Sequence, residues 1–91
     1  MNELVLDRLK LEYQDVKIKY FKLRYYLEET EKNINQVDEY LLIRQYQVMM
    51  EYLTLLKLRM ANYNCIVEPY PESFGENYQE FKKEYLQKEH Q

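Results

Sequence analysis

The sequence predicts an all-α protein: a long antiparallel helical hairpin, a proline-containing strap and a short C-terminal amphipathic helix, associating as an oligomer. Three observations carry this. Apolar residues recur at Leu42, Tyr46, Met49, Leu53, Leu56, Met60 and Tyr63, with spacings that alternate four and three. Leu6, Leu9, Tyr13, Val16, Tyr20, Leu23 and Leu27 repeat the alternation earlier in the chain. Only helices place such residues on one stripe, and two stripes can close on each other as a hairpin. Between them, TEKNINQV (30–37) reads as a turn.

Taken in order, the first helix is expected over about 3–31. A second row, Leu4, Leu11, Ile18 and Tyr25, recurs every seven residues on its opposite face. That row reads as an interface with another copy of the chain; scattered surface hydrophobes or cover from the C-terminal segment would also explain it. Asn35 followed by Asp38 resembles a capping box, with Asp in place of the usual Glu. The second helix then runs over about 36–64. Its apolar arc is wide, because Leu41, Ile43, Val48, Met50 and Leu55 extend the seam, and a helix so apolar expects neighbours on more than one side. In CIVEPYPES (65–73), Pro69 and Pro71 push Glu68 and Tyr70 toward extended backbone. Ser73 and Glu76 form a second capping-box pattern, and Phe74, Tyr78, Phe81 and Tyr85 give a short amphipathic helix. The domain reading is a hairpin over 1–64 with a strap and acidic helix over 65–91, all in one domain.

Composition bounds the chemistry. Ninety-one residues make one small domain with a thin margin of stability, which favours self-association. Net charge is −3, which argues against a duplex nucleic-acid binder. The segment 68–91 holds six acidic and three basic residues and so carries that whole charge. One cysteine, Cys65, excludes an internal disulfide and suits a reducing compartment. No apolar run approaches the roughly 18 residues of a membrane span, and the N-terminus lacks a signal-peptide pattern. One Ala beside eleven Tyr, with abundant Lys, Asn and Ile, points to AT-rich coding, hence a low-GC bacterium or one of its phages.

Catalysis is poorly supported. Ser73, Cys65 and His90 are the only residues of their types, so no nucleophile–base pair is evident. A structural zinc site needs about four ligands, and a single Gly allows no phosphate loop. No catalytic residue, metal site or cofactor is expected. The suggestive stretch is VKIKYFKLRYY (16–26), where Lys17, Lys19, Lys22 and Arg24 interleave with Tyr20, Phe21, Tyr25 and Tyr26 without an acid. Cations pair with phosphates and aromatic rings stack on bases. Tyr20 also serves the seam, and lysines on a helix often only solvate it. On the second helix Gln45, Tyr52 and Arg59 align every seven residues; Arg59 would otherwise pair with Asp7 or Glu3 at the hairpin end.

The pattern Leu42, Gln45, Met49, Tyr52, Leu53, Leu56, Arg59 resembles the second helix of small phage helical-hairpin proteins, including those of crAss-like and other tailed phages. Through them it resembles the hairpin domain of anti-CBASS and anti-Thoeris sponges. The resemblance is good over about 35–60 and looser over the hairpin; the first helix matches no sponge motif residue by residue, and the strap and third helix lie outside it. It implies an oligomeric phage protein that sequesters an anionic cyclic nucleotide signal, without cleaving it, in the cytoplasm of an infected bacterium. Lys17, Lys22, Arg24 and Arg59 would then contact phosphates, and Tyr20, Tyr26 and Tyr52 would stack on or border the bases. The alternative is a helical interaction module that binds or inhibits a host defence protein or a virion protein.

Overall fold

The computed structural model describes residues 2–29, 33–67 and 71–89, with side chains from Glu3 onward, from Glu76 in the last segment, and up to Gln87. It is all helical: α1 spans Asn2–Glu28, α2 Gln36–Ala61 and α3 Pro71–Glu89. The seams meet as expected. Leu9, Tyr13, Val16 and Tyr20 of α1 are buried against Leu53, Leu56 and Met60 of α2, flanked by Leu6, Tyr46, Met49 and Tyr63. Two cross-helix bonds fix the antiparallel register. The Tyr20 hydroxyl donates to the Tyr46 hydroxyl at 2.8 Å, and the Tyr52 hydroxyl donates to the Glu12 carboxylate at 2.8 Å. The Tyr20 and Tyr46 rings stack at 4.5 Å, so aromatic area and a polar bond are buried together. No buried side-chain polar atom among the described residues lacks a partner.

The helix ends follow local chemistry. Asn35 is extended (φ −76°, ψ 161°), and its Oδ1 accepts the Asp38 N–H at 2.7 Å. That satisfies one of the first-turn amides that an α-helix leaves open. α2 stops at Ala61, short of the expected 64, because Asn64 turns left-handed (φ 63°). The Asn64 N–H bonds Ala61 O at 2.9 Å and the Cys65 N–H bonds Met60 O at 3.0 Å, the paired closure of a Schellman motif. Asn tolerates that conformation better than most residues. α1 ends three residues before the expected 31. Pro69, Glu68 and Tyr70 lie outside the described residues, so the extended geometry expected of the strap does too; Cys65 and Val67 at its start pack against the core.

α3 begins three residues earlier than the capping-box reading placed it. Pro71 is its first residue, where the missing N–H costs nothing and the fixed φ suits a helix. Ser73 therefore lies inside the helix and is not its cap. With 19 residues α3 is also longer than a short strap helix. Among the described residues it packs mainly on α1. The radius of gyration, 15.1 Å, exceeds the ~12 Å of a compact chain of this length. The excess reflects an elongated hairpin with one helix along its side.

Much apolar surface stays open. Leu41, Val48 and Leu55 on α2 are each more than half exposed, as are Leu4 and Leu11 on α1. No helix among the described residues is long and apolar enough to cross a membrane.

Candidate functional site

A single stripe of α1, Lys17, Phe21, Arg24 and Glu28, faces α3. The spacing of four, three and four residues puts these side chains on one side of the helix. Phe21 is buried, and its ring lies 5.4 Å from both Tyr78 and Phe81. One turn on, the Arg24 guanidinium stacks on the Tyr78 ring at 3.9 Å and approaches the Glu28 carboxylate at 3.6 Å. The Tyr78 hydroxyl donates to the same carboxylate. Burial first, and this bond second, raise the Tyr78 hydroxyl above its ordinary value, so it stays protonated and donating. At the end of the interface Tyr25 meets Tyr85 edge-on at 5.5 Å. Phe21, Tyr78 and the Arg24–Glu28 pair form the clasp that docks α3.

Beside the clasp runs a groove of about 640 Å³, within the size range of small-molecule sites. Its α1 wall is Gln14, Lys17, Ile18, Phe21 and Lys22, and its α3 wall is Asn77, Glu80, Phe81, Glu84 and Tyr85. Lys17 is buried, with its Nζ 5.8 Å from the centres of the Tyr13 and Phe21 rings. Aromatic faces offset part of the cost of burying that ammonium. Lys22 is exposed at the rim. The groove thus combines two ammonium groups, two carboxylates and three aromatic rings.

The seven residues read from the sequence as ligand contacts do not converge in one chain. Lys17 and Lys22 line the groove, and Arg24 lies in the adjoining clasp, engaged by Tyr78 and Glu28. Tyr20 departs from expectation. It is 2% exposed, with one face stacked on Tyr46, so it holds the hairpin and presents no face to a base. Its hydroxyl is raised by burial and by the bond to Tyr46. Tyr52 and Arg59 sit elsewhere. Tyr52 is bonded to Glu12, which raises its hydroxyl while Arg59 pulls it down. Arg59 is exposed and makes no ion pair with Asp7 or Glu3 among the described residues. In this register Arg59 is level with about residue 6 of α1, some eighteen residues from Arg24, or about 27 Å along the helix. Tyr26, half-buried in the last turn of α1, is about 21 Å from the level of Glu12.

The back stripe divides as well. Leu4, Leu11 and Ile18 are 60%, 68% and 43% exposed, with Ile18 on the groove edge. Tyr25 is half-buried and meets Tyr85 of α3 edge-on, so α3 takes part of its surface. Among the described residues no group of three His, Cys, Asp or Glu side chains could hold a metal ion.

The second wall comes from α3, and the contact of Tyr25 with Tyr85 agrees in part with the alternative of cover from the C-terminal segment. Phe74, Tyr78, Phe81 and Tyr85 were legible as a helix stripe, but not its docking on Phe21 and Arg24. The available signal was Phe21, an aromatic among the cations Lys17 and Arg24 at helical spacing. An apolar residue there marks a contact rather than a solvated edge.

No curated protein and no solved structure matches the chain. A family model does: that of Sequestin matches residues 3–62, both helices of the hairpin, and stops before α3. The family's name denotes sequestration, a binding role rather than a catalytic one. With the match covering well over half its length, the chain belongs to the Sequestin family.

Proposed function

We propose that the protein is a phage counter-defence factor that sequesters an anionic cyclic nucleotide signal in an infected bacterium and does not cleave it. The observation that carries this is the groove on the Sequestin hairpin, where Lys17 and Lys22 lie beside Phe21, Phe81 and Tyr85. Ammonium groups pair with phosphates, and aromatic rings stack on bases at about 1–3 kcal/mol each. Arg24 adds a third cation within reach of the groove, provided a phosphate competes with Glu28 for it.

Tyr52 and Arg59 join the same site through a second copy, since about 18 Å and about 27 Å of helix separate their levels from Arg24 in one chain. Leu4, Leu11 and Ile18 supply apolar surface for such an association, and Leu41, Val48 and Leu55 supply more. These open stripes also favour the second reading, a hairpin that binds a host defence protein.

Native mass spectrometry with a panel of cyclic di- and trinucleotides and cyclic ADP-ribose isomers separates the two. An oligomer carrying unmodified nucleotide, with the adduct lost in Lys17→Glu/Lys22→Glu, is the expected result. A bare monomer across the panel overturns the nucleotide reading in favour of a protein partner.

A further inference from the structure

α3 lies outside the segment matched by the Sequestin family, 3–62, yet its Tyr78 is fully buried against the hairpin. The ring meets α1 in two ways. One contact is apolar, with Phe21 at 5.4 Å. The other is the Arg24 guanidinium, which lies over the ring at 3.9 Å. A guanidinium stacked on a ring spends a face and keeps its N–H groups in the plane, where they can grip a phosphate as a fork.

The nearby carboxylate does not close that fork. The Glu28 oxygen that Arg24 approaches is the one that accepts the Tyr78 hydroxyl. Arg24 Nε comes only to 3.6 Å from it, beyond the range of an N–H···O bond. Tyr78 thus takes the hydrogen bond of that oxygen and leaves Arg24 a looser ion pair. The Arg24 side chain is 34% exposed, so an anion can reach it.

Resting on the anion-binding role above, we propose that Tyr78 is a positioning residue. It holds Arg24 flat with its N–H edge open, so that docked α3 presents the hairpin's arginine to a phosphate. An arginine on a helix surface otherwise samples many rotamers, and ordering it costs affinity. The stack meets that cost before the anion arrives. The coupling is reciprocal: if docked α3 tightens anion binding, bound anion tightens α3 docking by the same factor.

The test uses the full chain and inorganic pyrophosphate. The readouts are the Arg24 Nε–H resonance in an NMR titration and hydrogen exchange of α3 peptides. Tyr78→Phe keeps the ring and loses the hydroxyl, whereas Tyr78→Leu keeps apolar bulk and loses the ring face. Pyrophosphate should move the Arg24 resonance in the wild type. It should bind Tyr78→Phe within about twofold of the wild type and Tyr78→Leu at least about fivefold more weakly. Saturating pyrophosphate should also slow exchange of wild-type α3. A merely structural Tyr78 would not separate Phe from Leu while α3 stays docked. Full affinity in Tyr78→Leu, an unmoved Arg24 resonance, or wild-type α3 exchange that is unchanged or faster overturns the proposal. If Tyr78→Leu undocks α3, the wild-type exchange result decides alone. A cyclic nucleotide retained with the Arg24 resonance unmoved overturns the positioning role and leaves sequestration standing. Pyrophosphate gripped at Arg24, with every cyclic nucleotide unbound, supports the positioning role and overturns sequestration.

Discussion

Replacing Phe21 by Ala should release α3 from the hairpin. The ring is 3% exposed and meets Tyr78 and Phe81 at 5.4 Å. Transfer of its apolar surface to water costs about 1.5–3 kcal/mol, and the unfilled space raises a buried Phe→Ala change to about 3–5 kcal/mol. The two ring contacts place this site near ~4 kcal/mol, a large share of the ~5–14 kcal/mol expected of a chain of this length. The loss should fall on α3, because both rings that Phe21 meets there belong to it. Phe21 shares its core with the seam residues Leu9, Tyr13, Leu53 and Leu56 and lies 6.1 Å from the Tyr20 ring, so a smaller effect reaches the seam. Hydrogen exchange read by mass spectrometry on separate α3 and hairpin peptides measures the partition. α3 amides should exchange faster, by up to about a thousandfold for ~4 kcal/mol, with little change in the seam. Unaltered α3 exchange, or equal acceleration in α2, would refute the docking argument.

Three further outcomes follow from the same packing. Tyr20→Phe deletes the hydroxyl given to Tyr46 and should cost about 1 kcal/mol in a urea melt with nucleotide affinity unchanged; lost affinity at full stability would restore Tyr20 to the ligand site. Asn35→Ala removes the cap on Asp38 N–H and should cost about 1 kcal/mol, lowering Tm by roughly 4–8 °C; an unshifted melt contradicts the cap. Stability should fall as pH rises above about 10. Tyr20 and Tyr78 keep their protons in the folded state while the unfolded chain releases them, so the folded state holds more protons and the slope is negative. Urea midpoints from about pH 8 to 11 check this, with Tyr78→Phe flattening the decline and a flat wild-type profile contradicting it.

The hairpin was legible because its information is local. A four–three alternation identifies the buried face of each helix without knowledge of the partner, and a polar turn with Asn35 fixes where α2 starts. Register follows from matching the two seams. The back face was harder, since Leu4, Leu11, Ile18 and Tyr25 have one spacing but two fates. Periodicity reports that a row is apolar, not which neighbour covers it, and among the described residues α3 reaches Tyr25 and the edge of Ile18. Lys17 shows the same limit. Its charge suggested a surface position, yet the rings of Tyr13 and Phe21 make burial tolerable. The groove was least legible, because its walls are about sixty residues apart in sequence and meet around Phe21, one of four aromatics in the cationic stretch 16–26.

A sequestering protein holds its ligand and returns it intact. The direct measurement mixes the purified chain with each cyclic nucleotide of the panel, separates free from bound by ultrafiltration, then heat-denatures the protein and identifies what is released. One nucleotide should disappear from the filtrate and reappear chemically unchanged after denaturation. A nucleotide that stays in the filtrate, or returns cleaved, would contradict it.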